Sequence, residues 1–397
     1  MTVLQGRNIA LGITGSIAAY KAADLASKLT QAGAHVDVLM TAAATRFVTP
    51  LTLRSITGRP VLLDMYDPST ELAEEHVEIA RRADAVIIAP ASASTIAKLA
   101  HGLGDDMVTL TVLATKAPVL IAPAMDGQMF DNDATQANLR ALAERGYVII
   151  GPAEGRLASG RSGKGRLVET GVLLGALKLE LGKSGDLAGK RVVITAGGTR
   201  EPLDPVRFIS NYSTGKMGYA VAEAASDRGA QVTLISTVST LPVPYGVRLA
   251  AVETVAEMRD AVLAACQQAD ALIMAAAVSD YRPADRAGHK VKKGPGRKTI
   301  ELEKNADFLL EVPDSIVKIG FAAETDDLDA NAAAKLAAKR LDLIVANDVT
   351  VPGAGFAHDT NVVTLIDRSG AAEPLPLMSK YDVGQRILDR LVGLLRE

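Results

Sequence analysis

The stretch Arg191 to Ala222, RVVITAGGTREPLDPVRFISNYSTGKMGYAVA, has the residues to hold an anion. Val192 to Thr195 reads as a buried strand, Gly197-Gly198 opens a loop, and a helix is expected to start between Thr214 and Met217 and to run on through Ala220 and Ala222. Backbone N–H groups at a helix start are unpaired and point outward, so strand, glycine turn and helix together suit a phosphate-bearing ligand. The loop also carries Glu201, Asp204, Arg207, the amide of Asn211, and the prolines Pro202 and Pro205. A G-x-G-x-x-G dinucleotide turn closes in a few residues, so this longer loop is read as a site as well as a turn.

The elements that must position such a site follow from length and pattern. At 397 residues, 48% of them hydrophobic, the chain has enough apolar material for two domains. A net charge of −3 gives no reason to expect a nucleic-acid or membrane surface. Met1 to Arg7 leads straight into a strand and no apolar run approaches a bilayer span, so a soluble, cytoplasmic protein is expected. The single cysteine, Cys266, excludes an internal disulfide and a cysteine zinc site, and its setting in AVLAACQQAD reads as core.

Ile9 to Thr14 is the first expected strand, followed by a helix from about Ser16 to Gly33 and a second strand, His35 to Met40. This βαβ unit predicts a parallel sheet, continued by Ala83 to Pro90, Pro118 to Pro123 and Tyr147 to Gly151. Hydroxyls and amides gather after these strands, at the carboxyl ends where open α/β sheets bind ligands. The glycine-rich Gly151 to Leu167 reads as a flap over a ligand, with a linker as the alternative. A helix over Leu167 to Leu181 and the polar GKSGDLAGK lead to an expected boundary near Gly189, giving domains 1–189 and 190–397. The second half repeats the alternation, with strands Val192 to Thr195, Gln231 to Ile235, Val247 to Val252, Ala271 to Ala275, Ile316 to Phe321 and Leu343 to Ala346. Helices are expected at Thr254 to Gln267 and Asn331 to Lys339, and a projecting hairpin around the Gly-Pro-Gly of RAGHKVKKGPGRKTIELEK. The fold class is α/β, two Rossmann-like or flavodoxin-like domains with mainly parallel sheets.

An ordered series of motifs resembles one family over essentially the whole chain. GSIAAYK, EHVEIARRAD, APASASTIAKLAHGLGDD and APAMDGQMF resemble the homo-oligomeric, flavin-containing cysteine decarboxylases. ITAGGTREPLDPVRFISNYSTGKMG, AAAVSDYRP, KVKK, EKNADF, GFAAET and IVANDV resemble phosphopantothenate–cysteine ligases. Together they resemble the bifunctional coenzyme A biosynthesis family, in which phosphopantothenoylcysteine decarboxylase is fused to phosphopantothenate–cysteine ligase.

Joining a carboxylate to an amine requires activation of the carboxylate, and a bound triphosphate needs cations, which Lys290, Lys292, Lys335 and Lys339 offer. Lys335 and Lys339, four apart, are expected on one helix face. The resemblance implies a cytidylate intermediate, with CTP contacted by Met274, Ala275, Ala276, Asp280, Lys290, Ala306, Asp307, Phe308, Leu309, Phe321, Lys335 and Lys339. Asp280 is also the candidate magnesium ligand. By the same resemblance Asn211 donates to the acyl-cytidylate and Lys290 neutralises transition-state charge.

A cysteine carboxylate leaves readily only beside an electron sink, which oxidation of the thiol by hydride transfer to FMN creates, the hydride being returned later. The resemblance places FMN at Gly15, Ser16, Ile17, Thr41, Ser92, Ser94, Thr95 and Met125. It makes His76, expected just before the helix HVEIARR, the catalytic base; a helix N-terminus would favour the neutral imidazole. Two positions depart from the family pattern: Asp126 stands where Asn is usual, and Ser159 where the flap usually has a Cys that donates a proton. Both are retained as catalytic candidates, with Asp126 expected to be protonated beside a substrate carboxylate and to supply the proton that Ser159 donates poorly.

The implied substrates are 4′-phosphopantothenate, cysteine and CTP, in a homo-oligomer. The alternative is an active ligase whose flavin domain only decarboxylates oxidatively or is regulatory. A nicotinamide oxidoreductase is the generic reading of two parallel-sheet domains, but Tyr212 and Lys216 occupy the first strand-to-helix loop rather than the later helix that a Tyr-x-x-x-Lys pair needs. No Walker A sequence is present.

Overall fold

Apolar runs that alternate between two faces build both halves. The computed structural model describes residues 2–66, 75–158, 160–292, 298–324, 335–348 and 353–396. It divides into two units, Met1–Leu181 and Gly182–Glu397.

The first unit carries a 6-stranded parallel sheet in the order β3-β2-β1-β4-β5-β6. Its strands are β1 (Asn8–Ile13), β2 (His35–Met40), β3 (Val61–Leu62), β4 (Ala85–Ala91), β5 (Val119–Pro123) and β6 (Val148–Ile149). Ile9, Leu11 and Ile13 of β1 enter one core cluster and Ala10 the other, so the sheet is covered on both faces. The strand order reverses between β1 and β4, and the crevice beyond their carboxyl ends is where this topology binds ligands. The residues after β1 form a 3₁₀ turn, Ile17–Tyr20, before the α-helix Lys21–Gln31, a correction to the single helix expected from Ser16. Ser16 caps that turn through the Ala18 amide. The glycine-rich passage is an antiparallel hairpin, β7 (Ala153–Arg156) against β8 (Ser162–Arg166).

The second unit has an 8-stranded sheet, β13-β12-β9-β14-β17-β18-β20-β21, parallel from β13 to β18 and antiparallel at the last two. The strands are β9 (Arg191–Ala196), β12 (Gln231–Ser236), β13 (Arg248–Ala251), β14 (Ala271–Met274), β17 (Val317–Glu324), β18 (Leu343–Asp348), β20 (Val363–Asp367) and β21 (Ala372–Pro374). Three short antiparallel pairs attach to it: β10 (Arg200–Pro202) with β11 (Phe208–Ser210), β15 (Tyr281–Pro283) with β16 (Leu302–Lys304), and β19 (Thr360–Asn361) with β22 (Met378–Ser379). The expected lysine hairpin is therefore paired at its base alone among the described residues, and its Gly-Pro-Gly apex lies outside them. The expected helix Asn331 to Lys339 is described only from Lys335, and is helical over 335–338.

The division after Leu181 lies ahead of the boundary expected at Gly189 because the polar stretch packs on the second sheet. Leu187 is 0% exposed in the second unit's core and its amide donates to the Arg228 carbonyl at 3.1 Å. Among the described residues no helix is long and apolar enough to cross a membrane.

Candidate functional sites

At the β1/β4 crevice the backbone is tied by Thr14, whose buried hydroxyl donates to the Pro90 carbonyl at 2.8 Å and accepts the Ser92 amide at 2.9 Å. This sets the ends of both strands side by side and opens a cavity of about 690 Å³. Gly15, Ser16, Ile17, Tyr20 and Lys21 line it from the first turn, Ser92 and Ala93 from the second, and Met125, Asp126 and Met129 from the segment after β5. The hairpin closes the other side through Arg156, Leu157, Ala158, Gly165, Arg166 and Leu167. Met125 donates its amide to the Gly165 carbonyl at 3.0 Å, and a Cβ on Gly165, at φ +131°, would stand 2.2 Å from the Met125 carbonyl oxygen. Only glycine allows the hairpin to approach this closely.

Of the flavin candidates, Gly15, Ser16, Ile17, Ser92 and Met125 line the cavity. Thr95 is buried behind it, its hydroxyl 3.2 Å from that of Ser92, which also caps the helix Ala93–His101. Ser94 is exposed on that helix, and Thr41 accepts the Ala44 amide in a turn packed on Gly15, where a Cβ would meet the Ala43 Cβ at 2.5 Å. His76 lies inside the helix Glu75–Arg82 rather than ahead of it, half-buried and away from the cavity lining. Asp126 caps the short helix Gly127–Asp131, accepting the Gln128 amide at 3.1 Å, and lines the cavity. Ser159 lies outside the described residues.

Lys21 is the lining residue that motif reading passed over although it ends GSIAAYK. Its Nζ is buried without a hydrogen-bond partner, 3.6 Å from Glu169, whose carboxylate also pairs with Arg166. Paired with one carboxylate that it shares with Arg166, this group still has N–H donors to offer an anion in the cavity.

In the second unit the equivalent crevice lies between β9 and β14. Thr195 accepts the Ala276 amide at 3.1 Å, and the Ala277 amide donates to the Gly197 carbonyl at 2.8 Å. A pocket of about 100 Å³ follows, lined by residues 213–218, 275–277, Phe321, Ala322 and Asn347, and by Gly355, Phe356, Asn361 and Lys380. The helix Lys216–Asp227 points its start into it, with Gly215 at the N-cap and no side-chain cap on the free amides. Asn347, 8% exposed at the end of β18, turns an amide oxygen that has no hydrogen-bond partner among the described residues. Uncapped amides and an orphan buried oxygen together suit a ligand carrying both an anion and hydrogen-bond donors.

Ala275, Ala276 and Phe321 of the nucleotide candidates line this pocket, and Met274 accepts the Thr195 hydroxyl on its sulfur at 3.6 Å. Asn211 is exposed and donates to the Ala277 carbonyl at 3.0 Å, which places it beside the same crevice. Asp280, Lys290, Ala306 and Lys335 are exposed. Lys339 pairs with Asp307 at 3.1 Å. The Phe308 and Leu309 side chains are buried in the core, so it is their backbone that could face a ligand. The backbone next to Lys290 is tied to the neighbouring loop. The Asp204 carboxylate accepts the amides of Val206, Arg207 and Val291 and the Arg207 guanidinium, which in turn donates to the Val291 carbonyl at 2.9 Å. Arg207 and these amides hold the Asp204 carboxyl far below the ordinary carboxylate range. No cluster of three or more His, Cys, Asp or Glu is present among the described residues. Cys266 is buried, and burial pushes its thiol up to about 12, so it is core.

Two α/β units, each with a pocket beyond the carboxyl ends of a doubly wound sheet, define a two-site enzyme of small-molecule metabolism. Residues 2–179 match the flavoprotein family, and residues 187–394 match the DNA/pantothenate metabolism flavoprotein C-terminal domain. The coenzyme A biosynthesis bifunctional protein CoaBC of Bacillus subtilis is 47% identical over 401 residues, covering 100% of this chain and 99% of its own. That of Escherichia coli K12 is 44% identical, covering 98% and 97%. A crystal structure of the C-terminal domain of a CoaBC protein aligns with TM-score 0.46 at 41% identity, covering 54% of this chain and 99% of that one. The chain belongs to the coenzyme A biosynthesis bifunctional proteins, enzymes with phosphopantothenoylcysteine decarboxylase and phosphopantothenate–cysteine ligase activities.

Proposed function

We propose that the two activities divide between the units: the second joins cysteine to 4′-phosphopantothenate with CTP and magnesium, and the first decarboxylates the product with FMN. The observation that carries this reading is the orphan Asn347 oxygen beside the uncapped start of Lys216–Asp227, which suits the donors and phosphates of a nucleotide. Ala275, Ala276 and Phe321 would flank the same nucleotide. Asp280 would meet magnesium through the triphosphate, since magnesium commonly takes one or two carboxylates plus phosphate oxygens. Asn211, held at the Ala277 carbonyl, is in reach of an acyl group activated there, and Lys290, set by the Asp204 clamp, would neutralise charge as that acyl group transfers.

The first cavity fits a flavin by size and lining: ligand pockets run to about 300–1,000 Å³. Gly15, Ser16, Ile17, Ser92 and Met125 would hold it. Bound FMN supplies a hydride acceptor next to the thiol, which makes the adjacent carboxylate a leaving group. The chain's own part is to orient the substrate, with Lys21 and Arg166 facing its acidic groups and the β7–β8 hairpin excluding water. Copies of the chain are inferred to associate, bringing His76 to a site it does not line within one copy, and to work in the cytoplasm.

Full-length, FMN-loaded protein given 4′-phosphopantothenate, cysteine, magnesium and CTP should yield 4′-phosphopantetheine by mass spectrometry. Accumulation of 4′-phosphopantothenoylcysteine, or of an oxidised enethiol with reduced flavin, would leave the ligase reading standing and overturn the full decarboxylation cycle. Light scattering that returned a monomer under turnover conditions would sink the part assigned to His76.

A further inference from the structure

Residues 355–358, of which Gly355 and Phe356 line the second pocket as its wall, present four consecutive carbonyls to three side chains from two helix starts. Lys380, the first residue of the helix Lys380–Leu394, donates from Nζ to the Gly355 carbonyl at 2.8 Å and to the His358 carbonyl, with the Phe356 carbonyl at 3.4 Å. Thr214 donates to the Phe356 carbonyl at 2.5 Å, and Lys216 to the Ala357 carbonyl at 2.9 Å and to Asp359 at 2.7 Å.

Lys380 is a costly residue for this place. It is 5% exposed, sits at the positive end of a helix dipole, and has a second ammonium, that of Lys216, nearby. What the ammonium offers in return is geometric: three N–H donors facing three carbonyls. A neutral amine has two donors and a lone pair, which would face one of those carbonyls.

We propose that Lys380 is a positioning residue of the nucleotide site, its ammonium pinning residues 355–358 as a wall of the pocket, so that the site is complete only while that proton is in place. The proposal rests on the pocket's reading as the nucleotide site. Lys380 touches the wall and lines the pocket, and polyphosphate bound at the neighbouring helix start would tighten its hold on the proton.

The charged groups acting on it are Lys216 from the helix Lys216–Asp227 and Asp359 from the end of the wall; His358 meets it through its carbonyl, and Asp382 of its own first turn bonds to Ser379. Burial, then Lys216, push the Lys380 ammonium down to about 8, and Asp359 opposes them. The unfolded chain therefore binds this proton more tightly than the folded one. Loss of the proton relieves the fold, so the stability contributed at this site rises from about pH 8 towards the ordinary lysine range while the wall loosens. A lysine that only holds the fold would show the same rise in stability with no fall in binding.

The test is calorimetric titration of the full-length protein with magnesium and CTP at about pH 7 and about pH 9, in buffers of differing ionisation enthalpy, beside thermal melts of the unliganded protein. Wild-type affinity should fall about tenfold across that interval, with proton uptake on binding above pH 8 and no matching loss of melting temperature. Lys380→Arg, charged throughout, should show neither the fall nor the uptake, and Lys380→Met should bind weakly at both values. Wild-type affinity that stays flat, or a Lys380→Met protein that keeps the wild-type profile, overturns the proposal. Asn347→Leu separates the two readings. If it binds CTP normally the pocket is not the nucleotide site and both fall; if it loses CTP while Lys380→Met binds normally, only the role of the lysine falls.

Discussion

The Lys21 Nζ is buried at the edge of the first cavity, with Glu169 at 3.6 Å and no hydrogen bond. A buried polar group without a partner costs on the order of 1–3 kcal/mol, so the arrangement is best explained by an anionic ligand that completes it. Lys21→Met is expected to raise KM for phosphopantothenoylcysteine about tenfold or more while melting temperature holds or rises. Unchanged KM with lowered stability would make Lys21 a structural residue. The contrast with Cys266 shows what one residue's surroundings reveal in sequence. AVLAACQQAD announces a core position, and the thiol is buried. Asn347, Asn361 and Lys380 stand more than 125 residues along the chain from Ser213 to Gly218. Their convergence depends on the strand order, which local pattern does not encode; the one local sign was a polar Asn347 ending an apolar strand.

At the scale of elements, two close approaches set the two sites. The β7–β8 hairpin lies on the Met125 carbonyl, and Gly165→Ala would drive a methyl to 2.2 Å from it. Overpacking of this kind costs about 1–3 kcal/mol, and it should be spent in lifting the hairpin rather than in the sheet. Reduced flavin retention after desalting, with an unchanged urea midpoint for the second unit, is the expected result; full retention would remove the hairpin from the binding site. The flap was legible in glycine content, but its pairing was not, because β7 and β8 are polar strands with no apolar face to give a register. In the second unit Asp204 joins the β10–β11 loop to the backbone next to Lys290. Its depressed pKa means the clamp is fully present above the ordinary carboxylate range and is lost only as pH falls through the much lower folded value. Asp204→Asn is accordingly expected to lower ligase kcat at neutral pH, by about tenfold or more, without moving the acid limb of the wild-type profile. A variant in which that limb moves would show that Asp204 itself titrates during catalysis.

At the scale of the whole molecule, each unit buries its own core: no residue of the clusters around β1–β6 belongs to those around β9–β21. The chain should therefore be divisible, and where it is cut tests which unit owns the polar stretch between them. GKSGDLAGK reads as a polar turn between the halves, with the boundary expected near Gly189. The structure gives the stretch a packing role. Leu187 is fully buried in the second core, its amide bonds to the Arg228 carbonyl, and Gly185 lies so close to that carbonyl that a Cβ would stand 2.3 Å from it. Full burial of a leucine contributes about 1.5–3 kcal/mol, and the hydrogen bond adds about 1 kcal/mol. A fragment of residues 183–397 should then unfold in urea with the midpoint of the second unit in the intact chain and retain ligase turnover. A fragment of residues 190–397 should be less stable by roughly 2–4 kcal/mol, a large share of what holds a domain of this size together. Equal midpoints for the two fragments would mean that the stretch rests on the second sheet without stabilising it. A shorter fragment that is less stable yet equally active when folded would confine residues 183–189 to folding and leave the ligase site wholly within the strands and loops that follow.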